Sequence, residues 1–332
     1  MLRLTTLALL ACTTQVLAQE LNVYSHRQPE LIQPLTDAFT AETGIKVNVA
    51  FVDKGMAERL VAEGDRSPAD LVLTIDIARL MQVADADVLQ PVQSEVLEAN
   101  IPESLRDPAD LWFGLTTRAR IIYASKERVA PGEVTTYEDL ASEKWRGRIC
   151  SRSGLHDYNV ALLGAVIAHY DEATATTWAE GVKANLARKP DGGDRDQVKA
   201  IAAGECDIAI GNTYYMGQML ADPEQVPAAE SVNIVFPTFE NGGTHVNISG
   251  IAMTKSAPNR DNAVKFMEWL SGDAAQKIYA ETNHEYPVKP GVERSALVAS
   301  WGEFTQDSKT LAEIAAQRPA AVKIMETVNF DG

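Results

Sequence analysis

The chain has 332 residues, 45% of them hydrophobic, and a formal net charge of −16. That is enough apolar material for more than one core, and no basic run offers a footprint for nucleic acid or an anionic membrane surface, so nucleic acid is excluded as a partner class. At roughly 150 residues per domain, the length predicts two domains.

Residues 1–18 read as an export signal. Arg3 supplies a positive start, "LTTLALLA" an apolar stretch and Val16-Leu17-Ala18 a small-residue cleavage site. This places the mature start near Gln19. A second reading takes Leu9-Leu10-Ala11-Cys12 as a lipoprotein site that would leave Cys12 lipidated. No later segment approaches the roughly 18 consecutive apolar residues of a spanning helix.

From Leu21 strands and helices alternate. "LNVYS" predicts a strand, and "PELIQPLTDAFTAETG" a helix with Leu31, Ile32, Leu35 and Phe39 on one face and Gly44 at its end. "IKVNVAFV" is a second strand. "GMAERLVAEG" is a short helix with Met56, Leu60 and Val61 inward, followed by the strand "ADLVLTI" and the helix "DIARLMQVADA". The alternation predicts a mostly parallel α/β sheet.

"WFGLTTRARIIYAS" is a long extended run suited to crossing between domains, and "YEDLASEKWRGRIC" predicts a helix and a turn leading into a second α/β unit. That unit holds "NVALLGAVIAHY", "ATTWAEGVKANL" and "DQVKAIAAGECDIAIG". "VNIVFP" and "NISGIAMTK" are strands fit to return the chain to the first domain, and helical segments at 260–281 and 309–328 follow. There is no repeat and no Pro/Gly/Ser tether, so strands rather than a flexible linker should join the domains.

Of the three cysteines, Cys12 leaves with the signal, and Cys150 and Cys206 are most simply a disulfide in an oxidising compartment. A bond closing that loop is worth about 4 kcal/mol on the chain-entropy model. A metal-thiolate pair is the rival, without a further Cys or CxxC spacing to support it.

The stretch "GNTYYMGQML" places Tyr214 and Tyr215 at the mouth of a helix, with Thr213 as its cap and Met216, Met219 and Leu220 inward. "SGLHDYNVALL" repeats the arrangement: Asp157 caps, Tyr158 opens the helix, and Val160, Leu162, Leu163 and Val166 form the buried face. Unpaired donors and the dipole at a helix start favour negative charge and so ease phenol ionisation. A Cys150–Cys206 bond would bring the two mouths together. Three readings stand side by side: a site for a hard trivalent cation such as ferric iron, an aromatic stacking site for an organic ligand, and half-buried packing.

The segments "LNVYSHRQPELIQPL", "SPADLVLTIDIARL", "WFGLTTRARIIY", "SGLHDYNVAL", "NLARKPDGGDRDQVKAI", "GNTYYMG", "NISGIAMTK" and "NHEYPV" are spread over the whole mature chain. Together they resemble the periplasmic ferric-iron-binding proteins of ABC importers, the bacterial-transferrin type. The resemblance implies an α/β, two-lobed periplasmic-binding-protein fold of type II with an interlobe cleft and strand hinges. The expected lobes are 19–117 plus 241–292 and 118–240 plus 293–332.

It further implies Fe(III) held by the phenolates of Tyr158, Tyr214 and Tyr215, all from the second lobe, with no enzymatic activity. Where some members place a His or Tyr ligand after the first strand, this chain has Gln28 and Pro29, and Asp76 stands where others have a Glu. The pattern therefore looks like the branch that completes the coordination with a synergistic anion, carbonate or bicarbonate. Arg118, Arg27 and Gln28 are the expected anion donors, since guanidinium gives two parallel bonds to a planar oxyanion. Delivery to an inner-membrane ABC permease by a periplasmic monomer follows from the same resemblance.

Among the neighbours, Arg120 is open between anion contact and salt bridge, and His26 reads as an exposed histidine. His156 is read as supporting the site or meeting water, and Tyr24 and Tyr123 as core or cleft wall. "NHEYP" lacks HExxH spacing. The rival within the same fold is a binding protein for a small organic anion or amine. For the second rival, an exported hydrolase, no G-x-S-x-G elbow, HExxH or zinc-type cysteine cluster occurs, and a paired-carboxylate site has no sequence signature to read.

Overall fold

Residues 20–332 are described by the structure, a computed structural model. The export-signal and Cys12 readings lie outside the described residues. In chain order the strands are β1 (Glu20–Ser25), β2 (Lys46–Phe51), β3 (Leu71–Thr74), β4 (Leu89–Gln90), β5 (Phe113–Ser125), β6 (Ile149–Cys150), β7 (Ile208–Asn212), β8 (Val232–Val235), β9 (Val246–Thr254) and β10 (Tyr286–Pro287). The main path of the sheet runs β2-β1-β3-β9-β5-β7-β6.

β5 organises this path. It is 13 residues long and buried throughout, as its apolar and β-branched run demands. Its first half, Phe113 to Ala119, pairs with β9, and its second half, from Arg120, pairs with β7 and β8. The strand therefore leaves one core and enters another without a break. The return is made by β9 alone; β8 stays beside the second half of β5, contrary to the expectation that both strands carry the chain back.

The sheet is mixed rather than mostly parallel. Parallel pairing holds for β1–β2, β1–β3 and β6–β7, the strands joined through helices, whereas β9 runs antiparallel to both β3 and β5. Strand-helix alternation encodes the parallel units. It carries no information about a strand arriving from far along the chain.

One core gathers Leu21, Phe39, Leu73, Phe113, Ile248, Met253 and Phe266. Phe39 and Phe266 meet edge to face at 4.8 Å, a favoured aromatic geometry. The second region packs Trp145, Leu163, Val166, Val182 and Ile210, with Val198, Met216 and Met219 in an adjoining cluster. In the helix Leu311–Ala316, Leu311 packs into the first core and Ile314 into the second. Two cores joined by one continuous sheet make the α/β two-lobed architecture that the resemblance implies.

Two local expectations fail. Val61 is 57% exposed, because the helix Met56–Glu63 docks through Met56 and Leu60 alone. The segment 137–150 forms two 3-10 turns, Glu138–Ala141 and Glu143–Trp145, because Ser142 between them is extended. Among the described residues no helix is long and apolar enough to cross a membrane. Cys150, at the end of β6, is bonded to Cys206, just before β7.

Candidate functional site: a tyrosine cluster under arginines

The disulfide ties the approach to one helix start to the approach to another. β7 ends at Asn212 and the helix Thr213–Leu220 begins at once. Gly211 in β7 leaves room for the ring of Tyr123, which a Cβ there would overlap; the Tyr123 hydroxyl donates to the Asn212 carbonyl at 2.6 Å. Thr213 is the first helical residue, not the cap, and its hydroxyl accepts from the Ala119 amide at 3.3 Å. Met216 and Met219 anchor the helix, leaving Tyr214 and Tyr215 at its mouth with ring centroids 4.2 Å apart.

The second helix, Asp157–His169, is capped by His156, whose Nδ1 accepts from the Tyr158 amide at 3.2 Å. Asp157 is thus inside the helix, not capping it. Its carboxylate accepts instead from Arg79 Nε at 2.7 Å and from Arg318 at 2.8 Å. An arginine from the first lobe and one from the C-terminal segment share one acid.

Across 56 positions of sequence, the hydroxyls of Tyr158 and Tyr214 come within 3.2 Å. All three tyrosines line one chamber of about 180 Å³, together with Arg27, Gln28, Arg79, Arg118, Arg152 and Glu285. The guanidinium carbons of Arg118, Arg120 and Arg152 sit 5.9, 5.7 and 5.3 Å from the Tyr158 ring centroid. Cations at this range favour the electron-rich ring face.

The arginines have different commitments. Arg120 is buried behind the tyrosines, donating to Asp194 at 2.7 Å, Asn212 Oδ1 at 3.0 Å and Asn159 at 2.7 Å, so its role is structural rather than anion contact. Arg152 pairs with the same Asp194 at 3.0 Å. Arg27 pairs with Glu285 at 2.9 Å and donates to Ser249. Arg118, almost wholly buried, donates to Ser249 Oγ at 3.3 Å and has no carboxylate partner among the described residues, and its Nε has no partner at all. Gln28 is exposed at the rim, in the cap position of the helix Pro29–Thr43 without a side-chain bond.

Burial raises Tyr214 well above the ordinary phenol value of 10.0, and the neighbouring Tyr158 and Tyr215 raise it further. Tyr215 is raised by burial and then by Tyr158. The expected easing of ionisation at a helix start is therefore outweighed by desolvation and mutual repulsion. Only a cation among the oxygens would reverse this. Among the described residues, no group of three His, Cys, Asp or Glu side chains gathers to hold a metal.

His26 is buried rather than exposed, and its ring is pushed down to about 4 by burial and then by Arg79. His156 is pushed down to about 3 by burial and Arg152. Asp76 is spent as a cap, accepting from the amides of Ala78 at 2.7 Å and Arg79 at 3.2 Å and from Asn247 Nδ2 at 2.6 Å. Tyr24 donates to Glu63 at 2.9 Å, away from the chamber. Sequence reasoning missed Arg152, Arg79 and Glu285. Glu285 lies within "NHEYPV", a segment of the resemblance that by itself assigns this residue no role.

The model of the bacterial extracellular solute-binding protein family matches residues 24–277. The chain belongs to that family. This solute-binding protein is 46% identical to Iron uptake protein A1 of Synechocystis sp. over 94% of this chain and 88% of the relative. It is 30% identical to the Major ferric iron-binding protein of Neisseria meningitidis serogroup B, over 86% of this chain and 85% of that one. Among solved structures, Pasteurella haemolytica apo ferric ion-binding protein A superposes with a TM-score of 0.92 at 53% identity, covering 95% of this chain and 99% of its own. The Trichodesmium protein (IdiA, FutA) in complex with iron and citrate gives 0.88 at 42% identity, covering 94% and 99%. The resemblance seen in the sequence thus extends over nearly the whole of both chains. These relatives are uptake and binding proteins, not enzymes.

Proposed function

We propose that this protein is the ferric-iron-binding component of an ABC importer. Tyr158, Tyr214 and Tyr215 supply three phenolate oxygens to Fe(III), and Arg118, with Arg27 and Gln28, receives a synergistic anion, carbonate or bicarbonate. The carrying observation is the 3.2 Å approach of Tyr158 and Tyr214 oxygens inside a chamber that also holds a buried arginine without an acid partner among the described residues. Three neighbouring phenolates demand a highly charged hard cation, and the unpaired guanidinium demands an anion. The names of the relatives support the same cargo.

As iron enters, the phenols release their protons, and the two lobes close over the cargo and exclude water. Closure gives an inner-membrane permease a surface that differs from the open form. Residues 1–18 act as the export signal in this reading, and the mature protein works in the periplasm as a monomer.

The test is elemental analysis of protein purified without chelators, paired with a visible spectrum. Stoichiometric iron with a phenolate-to-metal charge-transfer band is expected. A colourless, iron-saturated sample would overturn the phenolate assignment. Tight binding of a metabolite without metal would favour the organic-anion alternative.

A further inference from the structure

Four guanidiniums line the chamber: Arg27, Arg79, Arg118 and Arg152. Three are answered by a carboxylate, Arg27 by Glu285, Arg79 by Asp157 and Arg152 by Asp194. Arg118 is the exception among the described residues. The chamber therefore offers an incoming anion one guanidinium without a carboxylate contact, not four.

Glu285 occupies the decisive position. Tyr286 pairs antiparallel with Thr117, which brings Glu285 alongside the next residue of β5, Arg118. Its amide donates to the Tyr279 carbonyl at 3.3 Å, fixing the backbone. The side chain accepts from Arg27 through both oxygens, at 3.1 and 2.9 Å. Ser249 joins the two arginines, accepting from each. Arg27, Arg118 and Glu285 are all at most 3% exposed. In such a dry setting a unit charge acts strongly on its neighbours.

We propose that Glu285 is the specificity-determining residue of the anion site. By pairing with Arg27 it offsets the charge of that donor, leaves Arg118 as the one chamber guanidinium without a carboxylate contact among the described residues, and restricts the co-bound anion to a small, weakly charged oxyanion of the carbonate class. This rests on the iron-and-anion reading above and adds to it which residue selects the anion.

Two variants of opposite sign test this. Glu285→Gln frees Arg27, and Arg27→Gln releases Glu285 to turn to the neighbouring Arg118. Ferric iron is loaded with bicarbonate, inorganic phosphate or citrate at equal concentration, and release to a fixed chelator is followed through the visible band. In the parent, bicarbonate should give the slowest release. In Glu285→Gln the phosphate-to-bicarbonate and citrate-to-bicarbonate ratios of release half-times should rise about tenfold or more, the scale of one unit charge in a buried setting. In Arg27→Gln the response to bicarbonate should disappear.

Ratios in Glu285→Gln within about twofold of the parent, on the same scale, would overturn the inference. So would an undiminished bicarbonate response in Arg27→Gln, with the urea midpoint of each variant showing that it is folded. Absence of any visible band in the parent with every anion would sink the iron reading itself, and this inference with it.

Discussion

The phenol oxygens of Tyr158 and Tyr214 lie 3.2 Å apart, each on the first turn of its own helix, and the Cys150–Cys206 bond ties the strands that lead into those helices. The pair is a hydrogen bond while one phenol keeps its proton and a repulsive contact once both lose it. A cation among the oxygens removes that repulsion.

Replacing Tyr214 and Tyr215 by Phe removes two of the three proposed oxygen donors while keeping the rings. Changes beside a metal ligand typically cost about 10–100-fold in affinity, so loss of two ligands should exceed about 100-fold. Titration with a competing chelator measures this, and the visible band should vanish in the double variant and weaken in Tyr158→Phe.

The pH dependence has two limbs. Iron capture releases a proton for each phenol that is neutral beforehand, so affinity should fall as pH falls, by about one decade per pH unit for each such phenol. The iron-free protein behaves differently at high pH. Tyr214, Tyr215 and Tyr123 are raised above 10.0 by burial first, so the stability they contribute is fully present below pH 10.0 and is lost as pH rises toward their folded values. On the acid side His245, pushed from 6.5 down to about 3 by burial and Arg120, contributes stability that is present above 6.5 and lost between 6.5 and about 3. Urea midpoints across pH, with and without iron, check both limbs. Loaded protein should resist alkali better than unloaded.

Arg79 and Asp157 bridge the cleft at 2.7 Å, with side chains 17% and 15% exposed. A partly wet pair of this kind contributes about 1 kcal/mol, so Arg79→Gln should speed iron release about threefold to tenfold. Arg318→Gln touches the same carboxylate from the other side and should do less, because Arg318 packs on the same lobe as Asp157. Gly217→Ala attacks the interface differently: its Cβ would sit 2.2 Å from the His284 ring. Small-angle scattering should show a larger radius of gyration for that variant in the presence of iron.

Removing the disulfide with Cys150→Ser and Cys206→Ser should lower unfolding free energy by about 2–4 kcal/mol, measured in urea. The iron-loaded protein should start from a higher unfolding free energy and lose the same amount, since cargo binding adds to the native state's stability without changing what the bond contributes.

Apolar periodicity marked the helices carrying the tyrosines, and the crossing strand Phe113–Ser125 was visible as one extended run because thirteen residues without a turn signal have few other fates. The disulfide was legible from two cysteines in an exported chain. Caps were misassigned, since His156 and Thr213 owe their roles to what faces them across the fold. The antiparallel entry of β9, the burial of His26 and the distribution of four arginines over three carboxylates depend on contacts between segments as much as 258 residues apart, as for Arg27 and Glu285. Local pattern records which residues prefer burial or a helix start. Which charge meets which, and that Arg118 is left without a carboxylate, is settled only when distant strands place them side by side in a dry medium where each pairing matters.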